Sequence, residues 1–576
     1  MRSTFAGLNT MVSGLQNHQL ALDTVGHNLS NDSTEGYSRQ SVNLTTVTPS
    51  DQITMYGKSY VGNGVDTASI TRARDIFADK QYWRENATKS YYEEKQKNYS
   101  TIEGVFNDSK INSENVGLKS TINNFWQSWQ DLSTHASDPD TRISTRDNGM
   151  TMADQIKTMA QQMQQQITSQ YGQLQADVTD VNNITTQIRD LNKNIRQAEA
   201  SGGMANDLRD KRDSLVDNLS KYMKVDVTVQ NDGTYTVSTN GSVLVDGDSK
   251  LTLELQAQNN TEYGITDYNL MFKETGTVFS PGTGQISAVQ DNIAEDKAYI
   301  DKLADYSAFF LTTFNAQHKE GYGIDGADTT DTNFFGENTN DYSWINNSAS
   351  NYEKPYVQKT SSTGTEKLRG INIINELTVN SKITDPGGTD YIAAKGANVY
   401  TKDEAYTDST GHTVKKGDYI NANGDWTDYA NRIMAKNGTA GTADGSNATT
   451  LSTLFNTSLN EATINDHIRL AAGSDGNATP TDTLSSTADK SLYDYYNETM
   501  TELGTASSVT DNNVTKMTAV VTQVDNARQQ VSGVNWNEEL TNMIKYQQGY
   551  SACARVLTTM DEMLDKLINS TGTVGR

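Results

Sequence analysis

Residues that could do chemistry are few in this 576-residue chain, and none stands in a constellation that completes a reaction. Gly321-Tyr322-Gly323-Ile324-Asp325-Gly326 spells the glycine pattern of a dinucleotide phosphate loop. Such a loop needs a strand before it and a helix after it, so that the helix N-terminus meets the phosphates. Here a helical pattern precedes it and a polar loop follows, and the dinucleotide reading fails on context. The same stretch carries Asp325, Asp328, Asp331 and Asn333, oxygen ligands that could hold calcium, at a spacing unlike an EF-hand. Gly57-Lys58-Ser59 ends like a nucleotide P-loop, but Gln52 stands where the first glycine must be. The six histidines (His18, His27, His135, His318, His412 and His467) form no HExxH motif and share no metal-site spacing. Cys553 is the single cysteine, in a helical pattern beside an apolar stripe, and serine nucleophile elbows are missing. The expectation is a chain that is not an enzyme and uses no cofactor and no metal.

Composition narrows the classes further. A net charge of −25 repels nucleic acid and anionic membranes, so neither is expected as a partner. Apolar residues make up 35% of the chain and mean hydropathy is −0.67, which suits an extended, multidomain shape with much surface. No apolar region follows Met1-Arg2-Ser3, and no segment approaches the length of a membrane span. The expectation is a cytoplasmic protein, or one that leaves the cell without a cleavable signal. One cysteine and 6 prolines suit a chain exported unfolded, with no disulfides to form and few slow isomerisations.

Helical periodicity dominates the elements. A first helix runs to about Leu29 and stops in a polar cluster, and residues 36–70 read as loop and short hairpins. Helix resumes from about Arg72 to Phe106. Met152, Ile156, Met159, Met163, Ile167, Leu174, Val178, Val181, Ile188, Leu191 and Ile195 sustain a heptad-like stripe over roughly 143–199, a rod of about 80 Å. A shorter helix covers about 206–222. From Val225 the period switches to two, with turns at Asn231-Asp232-Gly233 and Asn240-Gly241, predicting a β meander. Helix returns over 286–318. Residues 326–490 are rich in Gly, Thr, Asn, Asp and Ser and read as a separate, mainly β unit. Within it, Asp390-Tyr391-Ile392 echoes Asp418-Tyr419-Ile420, as two similar hairpins or by chance. Helix closes the chain from about 487, with Asn535 and Glu538 as a capping box for the last one.

The two ends look like halves of one helical interface. Phe5, Leu8, Val12, Leu15, Leu22 and Leu29 fall at steps of three and four, with Gln19 and Gly26 in the remaining slots. Trp536, Leu540, Met543, Tyr550, Ala554, Leu557, Leu564 and Ile568 repeat the pattern, with Gln547 and Asp561 off-type. Single helices of this length are marginal in water, so each stripe needs a partner: the other end, or another copy. That points to an assembly protein.

Terminal motifs then become specific. Asn28-Leu29-Ser30-Asn31, Thr34 and Gly36-Tyr37-Ser38-Arg39-Gln40 resemble the N-terminal signature of bacterial flagellar rod and hook axial proteins, continued by Gly62-Asn63-Gly64-Val65 and Arg72-Ala73-Arg74-Asp75. Glu538-Glu539-Leu540, Asn542-Met543-Ile544, Tyr546-Gln547-Gln548 and Ala554-Arg555-Val556-Leu557 resemble the closing helix of the FlgK family of hook-associated proteins. Trp536 and Asn537 depart from the usual aliphatic and Asp there. The resemblance covers roughly 1–335 and 490–576. Together with the periodicities above it gives an expected α+β, multidomain fold: a terminal coiled-coil-like domain (1–66 with 534–576), a long-helix bundle (67–224, 286–325 and 490–533), a small β-meander insertion (225–285) and, from composition alone, an outer, mainly β domain (326–489). The resemblance covers none of that last stretch beyond 335. The resemblance also implies a structural component of the bacterial flagellum at the hook–filament junction, outside the cell. Its partners would be a homo-oligomeric ring of copies, hook protein below, a second junction protein above, and an export chaperone on the way through the flagellar type III channel. The terminal helices would stay loose in the monomer and order on assembly. Two rivals are another axial protein (hook protein or a flagellin-like subunit) and a surface adhesin whose middle domain binds glycans. For the latter Tyr391, Tyr419 and Trp426 would be the platform, though they suit hairpin core better.

Overall fold

The computed structural model describes residues 6–570 apart from 55–56, 107–109, 112–113, 116, 201, 325–331, 346–355, 397–405, 415–418, 421–432, 435–442 and 458–490. Helix α1 (Ala6–Ser30) leads through a glycine turn to an antiparallel pair, β1 (Gln40–Thr46) with β4 (Val65–Arg72). A second ribbon, β2 (Ser50–Thr54) with β3 (Gly57–Val61), extends between them. Then come α2 (Ile76–Phe106), a two-residue ribbon β5 (Lys110–Ile111) with β6 (Glu114–Asn115), α3 (Leu118–Thr134), α4 (Pro139–Glu199) and α5 (Asn206–Tyr222).

The rod is α4. Pro139 opens it and disfavours helix at the residue before it, and that residue, Asp138, caps the first turn by accepting from the Asp140 amide. Its stripe from Met152 to Ile195 is buried except for Leu191, which is half-buried. The helix is 61 residues long, about 90 Å at 1.5 Å per residue.

The meander splits into two sheets. β7 (Asp226–Val229), β8 (Tyr235–Thr239), β9 (Ser242–Asp246) and β10 (Ser249–Lys250) pair in sequence order, with Asn240 at φ 46° and Gly241 at φ 83° making the turn that a tight hairpin requires. β11 (Leu253–Asn260) and β12 (Ile265–Phe272) form a separate ribbon against α4.

The helix expected over 286–318 is interrupted. α6 (Gln285–Phe309) passes through a π segment, Phe310–Phe314, into α7 (Asn315–Glu320). The wider turn sits in an aromatic core in which Phe125, Trp129, Phe310, Phe314, Phe334 and Phe335 pack mostly edge-on or tilted. Asn315 holds Phe334 and Phe335 there: its Oδ1 accepts from both amides at 3.0 Å, and its Nδ2 donates to the Phe335 carbonyl at 2.6 Å.

Residues 326–489, expected as a separate, mainly β unit, mix short strands and short helices where they are described. β13 (Asp341–Ile345), β14 (Tyr356–Ser361) and β15 (Gly364–Leu368) do form a sheet. They are followed by short helices α8 (Ile371–Glu376) and α9 (Ser381–Thr384), two-residue ribbons β16–β17 (Tyr406–Thr407, Thr413–Val414) and β18–β19 (Tyr419–Ile420, Ile433–Met434), and α10 (Ser446–Thr453). Ile374, Leu377, Ile383, Ile392 and Leu451 are buried in the same continuous core as the bundle. Buried Arg142 ties the segment to α4, donating to the carbonyls of Ala136, Thr389 and Ile392. Polar composition hid the aliphatics of this segment, and Val357, Leu368, Ile371, Ile373, Ile374, Leu377, Val379, Ile383, Ile392, Leu451 and Leu454 are buried. The echo also fails as two hairpins, because Gly388–Tyr391 is a 3₁₀ turn and Tyr419–Ile420 a strand.

The last helices are α11 (Leu492–Ser532), capped by the Ser491 hydroxyl, and α12 (Trp536–Ser570). α11 runs antiparallel to α2, with Gln96 donating to Asp511 at one end and the Arg528 guanidinium 4.0 Å above the Tyr82 ring at the other. Among the described residues no helix is long and apolar enough to cross a membrane.

Candidate functional site: the paired chain ends

α1 and α12 pack antiparallel against each other, in a register that holds along the whole seam. Gly7 faces Met560, Gly14 faces Cys553, Gly549 faces His18, and Asn28 bonds Glu539. Every step forward on one helix is matched by an equal step back on the other. Small residues set the spacing. A Cβ on Gly14 would lie 3.1 Å from the Cys553 sulfur, and one on Gly549 would lie 2.6 Å from the His18 ring.

This seam lies one residue behind the apolar stripe expected from sequence. The buried positions of α1 are Gly14, Asn17, Ala21, Thr24, Val25 and Asn28. Leu8, Val12, Leu15, Leu22 and Leu29 flank the seam and are half-buried, and Phe5 lies outside the described residues. On α12, Met543, Tyr550, Leu557 and Leu564 are half-buried, while Trp536, Leu540 and Ile568 are 51%, 37% and 69% exposed. The pair thus closes on small and polar residues and leaves its larger apolar side chains partly open beside the closure.

At its inner end the seam becomes a polar clamp. Asn28 is 1% exposed and uses its whole amide. Its Oδ1 accepts from the Tyr37 hydroxyl at 2.7 Å and the Gln40 amide at 2.9 Å. Its Nδ2 donates to the Gln40 carbonyl at 2.9 Å and to Glu539 Oε2 at 3.0 Å. Gly36, at φ 80°, turns the chain so that Tyr37 can reach back. Burial, then the carboxylates of Asp207, Asp210 and Glu539, push the Tyr37 phenol well above its ordinary range, so it stays a donor. Arg39 joins both ends of the chain, its amide donating to the Ser532 carbonyl at 2.8 Å and its guanidinium lying 2.9 Å from Glu538. The capping box is therefore half made: Asn535 accepts from the Glu538 amide, but the Glu538 carboxylate turns to Arg39.

The other signature residues divide. Asn542 and Tyr546 line a small cleft with Arg39, Gln40 and Glu539, and Asn31 bonds the His27 carbonyl and Thr34. Gln547 and Arg555 lie exposed on α12, away from the clamp.

Beneath the clamp is a buried ionic joint that the sequence reading missed. Arg72 contacts Asp210 at 2.5 Å and Asp213 at 2.8 Å; Arg74 contacts Asp79 at 2.8 Å; Arg528 contacts Asp217 at 2.8 Å. Ser38 connects joint to clamp, its amide donating to Asp210 and its hydroxyl accepting from Arg74. Burial alone would raise Asp213, but Arg74 and Arg72 hold it below the usual carboxylate range, whereas burial outweighs the arginines at Asp79 and Asp217 and raises both. The signal was present: Asp207, Asp210, Asp213 and Asp217 recur at steps of three and four, placing four aspartates along one side of α5. A groove of about 680 Å³ opens between the 31–37 loop and α4–α5, lined by His27, Glu35, Tyr37, Leu191, Asp207 and Leu215 among others.

The candidate chemical residues are not gathered. Asp325, Asp328 and Asp331 lie outside the described residues, and among the described residues no group of three metal-ligating side chains forms. His318 is fully buried, donating from Nδ1 to the Thr332 carbonyl and accepting at Nε2 from the Ala393 amide, which fixes a neutral tautomer. Tyr391 carries Lys382 over its ring at 3.9 Å, and Trp426 lies outside the described residues.

Comparison with known proteins agrees with this architecture. The family model "Flagellar hook-associated protein FlgK helical domain" matches residues 99–335, "Flagella basal body rod protein" matches 8–37, and "Flagellar basal body rod FlgEFG protein C-terminal" matches 527–570. The last two cover the paired ends. The chain is 28% identical over 585 residues to flagellar hook-associated protein 1 of Bacillus subtilis, spanning 100% of both chains. It is 26% identical to the proteins of that name from Salmonella typhimurium and Escherichia coli, over 98% of this chain and 99% of theirs. Its fold matches the flagellar hook junction protein FlgK from Burkholderia pseudomallei with a TM-score of 0.54 at 18% identity, over 79% of this chain and 100% of that one. With the paired ends, long-helix bundle and small antiparallel sheets all in place, the chain belongs to the FlgK family of flagellar hook-associated proteins, structural components of the bacterial flagellum.

Proposed function

We propose that this protein forms the junction between hook and filament, as a ring of copies joined through the outer faces of the α1–α12 pair. Hook protein would lie below the ring and a second junction protein above it. The observation that carries this reading is the offset between seam and stripe. The pair is closed by Gly14, Ala21 and Asn28, yet Leu8, Leu15, Leu22, Leu557 and Leu564 remain half-covered beside it. Burying each such side chain contributes about 1.5–3 kcal/mol, so several closing together stabilise an assembly strongly. Pairing of the ends within one chain favours a preformed unit that assembly covers, over ends that first find their partner in another copy.

Export through the flagellar type III channel, with a chaperone before secretion, belongs to the same reading, supported by the single cysteine and few prolines. Leu557→Asp should leave the bundle folded and block incorporation at the hook tip, read by cellular fractionation and electron microscopy of the flagella. Normal filament growth from that variant would refute the reading.

A further inference from the structure

Between α2, α4 and α6 the bundle interior is polar. Asn98 of α2 is 2% exposed, Gln170 of α4 is 4% and Asp296 of α6 is 0%. The Gln170 amide donates to Asn98 Oδ1 at 2.6 Å, and the Asn98 amide donates to Asp296 Oδ1 at 3.0 Å. Two buried atoms of this trio have no partner, Asp296 Oδ2 and Gln170 Oε1. Both are oxygens. Asn98 gives Asp296 one donor, at Oδ1, and a carboxylate would leave its charge on a bare, buried Oδ2 as well. A carboxylic acid carries a hydrogen there and no charge.

We propose that Asp296 is held as a protonated, neutral acid in the folded bundle, at the end of the hydrogen-bonded chain from Gln170 through Asn98 that couples α4, α2 and α6. The surrounding charges do not compensate a carboxylate at this position. On α2, Lys95 is spent on Glu295 at 2.5 Å and Lys97 on Glu94 at 2.9 Å. On α6, Lys297 pairs with Asp267 at 2.7 Å, and Glu295, whose Oε2 is also buried and unpartnered, raises Asp296 more than its partner Lys95 lowers it. Tyr99 and Tyr299 stay neutral, and α4 faces the site with the amides of Gln166 and Gln170. Burial is the largest influence on Asp296 and raises it to about 7, against the opposing pull of the two amides. Asp177, two turns along α4 and buried beside Glu94 and Asp180, moves the same way.

The sign follows from linkage. The folded chain holds a proton that the unfolded chain has released above about pH 4, so this contribution is complete in acid and is lost as pH rises towards 7. The test compares the full chain with Asp296→Asn, whose amide supplies the donor without the charge. Denaturant unfolding from pH 4.5 to 8.5 gives the ratio of their unfolding constants, in which Asp177 and every other titrating group cancels. The ratio should rise about tenfold per pH unit up to about pH 7 and then level off. A ratio independent of pH overturns the proposal. Should the variant not fold, infrared spectra of the unaltered chain decide: the carbonyl band of a protonated, buried carboxyl should be present at pH 6 and fade by pH 8.5. Its absence at pH 6 overturns the proposal. Stabilisation of the unaltered chain, but not the variant, by sodium or calcium chloride at pH 8 would put a cation in place of the proton, and overturn it too.

Discussion

Asn28→Asp is the most diagnostic single change at the clamp, because it alters one atom and no shape. The two acceptor bonds at Oδ1, to the Tyr37 hydroxyl and the Gln40 amide, survive. The other atom changes from a donor to a lone pair facing the Gln40 carbonyl and the Glu539 carboxylate. Losing the neutral bond to Gln40 removes about 1 kcal/mol. Two carboxylates at about 4 Å repel by about 4 kcal/mol at an effective dielectric of 20. Protonation caps that repulsion, because holding a proton on a carboxyl of pKa near 4 at pH 7 costs about 4 kcal/mol. The expected loss is about 4–5 kcal/mol at pH 7, shrinking by about 1.4 kcal/mol per pH unit on acidification as the new acid donates to Glu539. The assay is amide exchange, comparing α1 and α12 with α4, at pH 5 and pH 7. Asn28→Ala removes all four bonds and should lose protection equally at both values. If the Asp and Ala variants behave alike at both, the bond to Glu539 does not hold the ends together.

Three further outcomes follow from particular contacts. Gly14→Cys places a thiol where a Cβ would lie 3.1 Å from the Cys553 sulfur, so oxidation should cross-link α1 to α12 within a monomer. Faster non-reducing mobility with loss of free thiol would show this, and intermolecular dimers only would contradict the pairing. His318, held down to about 4 from its ordinary 6.5 by burial, lets the unfolded chain take up a proton first. Its share of stability is therefore intact above pH 6.5 and falls by about 3 kcal/mol towards pH 4, a slope that His318→Gln should remove from urea titrations. Arg72→Ala leaves Asp213, 1% exposed, with Arg74 as its nearest cation, and should destabilise by about 3–5 kcal/mol in thermal unfolding. A loss below 1 kcal/mol would mean that water reaches the joint.

Periodicity made the helices legible. The rod, the closing pair and the switch to strands after Val225 could be read because a long run of apolar residues at one spacing excludes other periods. What periodicity could not resolve was phase. Leu8, Leu15, Leu22 and Leu29 mark a face more strongly than Gly7, Gly14, Ala21 and Asn28, yet the second set makes the seam, because close backbone approach is set by small side chains and not by large ones. The clamp was half legible, as a run of signature residues with no visible geometry; only the fold shows that Asn28 is the hub and Arg555 is apart. The ionic joint went unread because charged residues are taken as solvent-facing unless their spacing is checked, and Asp213 and Arg212 are among the most buried side chains here. In the segment after Phe335 a polar composition concealed the isoleucines and leucines that reach the bundle core.

The arrangement of ends also dictates an order of events. Asn28 and Glu539 lie 511 positions apart in the chain, and closing so long a flexible loop would be entropically expensive, by about 5 kcal/mol. The chain avoids this by nesting. α2 and α11 already run side by side, and the Arg39 amide meets the Ser532 carbonyl, so only short connectors separate α1 and α12 once the bundle exists. Helix α1, made before the bundle, thus waits for α12, made after it, and the bundle acts as the template that brings them together. Loosening α2 from α11, at a distance from the terminal helices, would set both ends free at once.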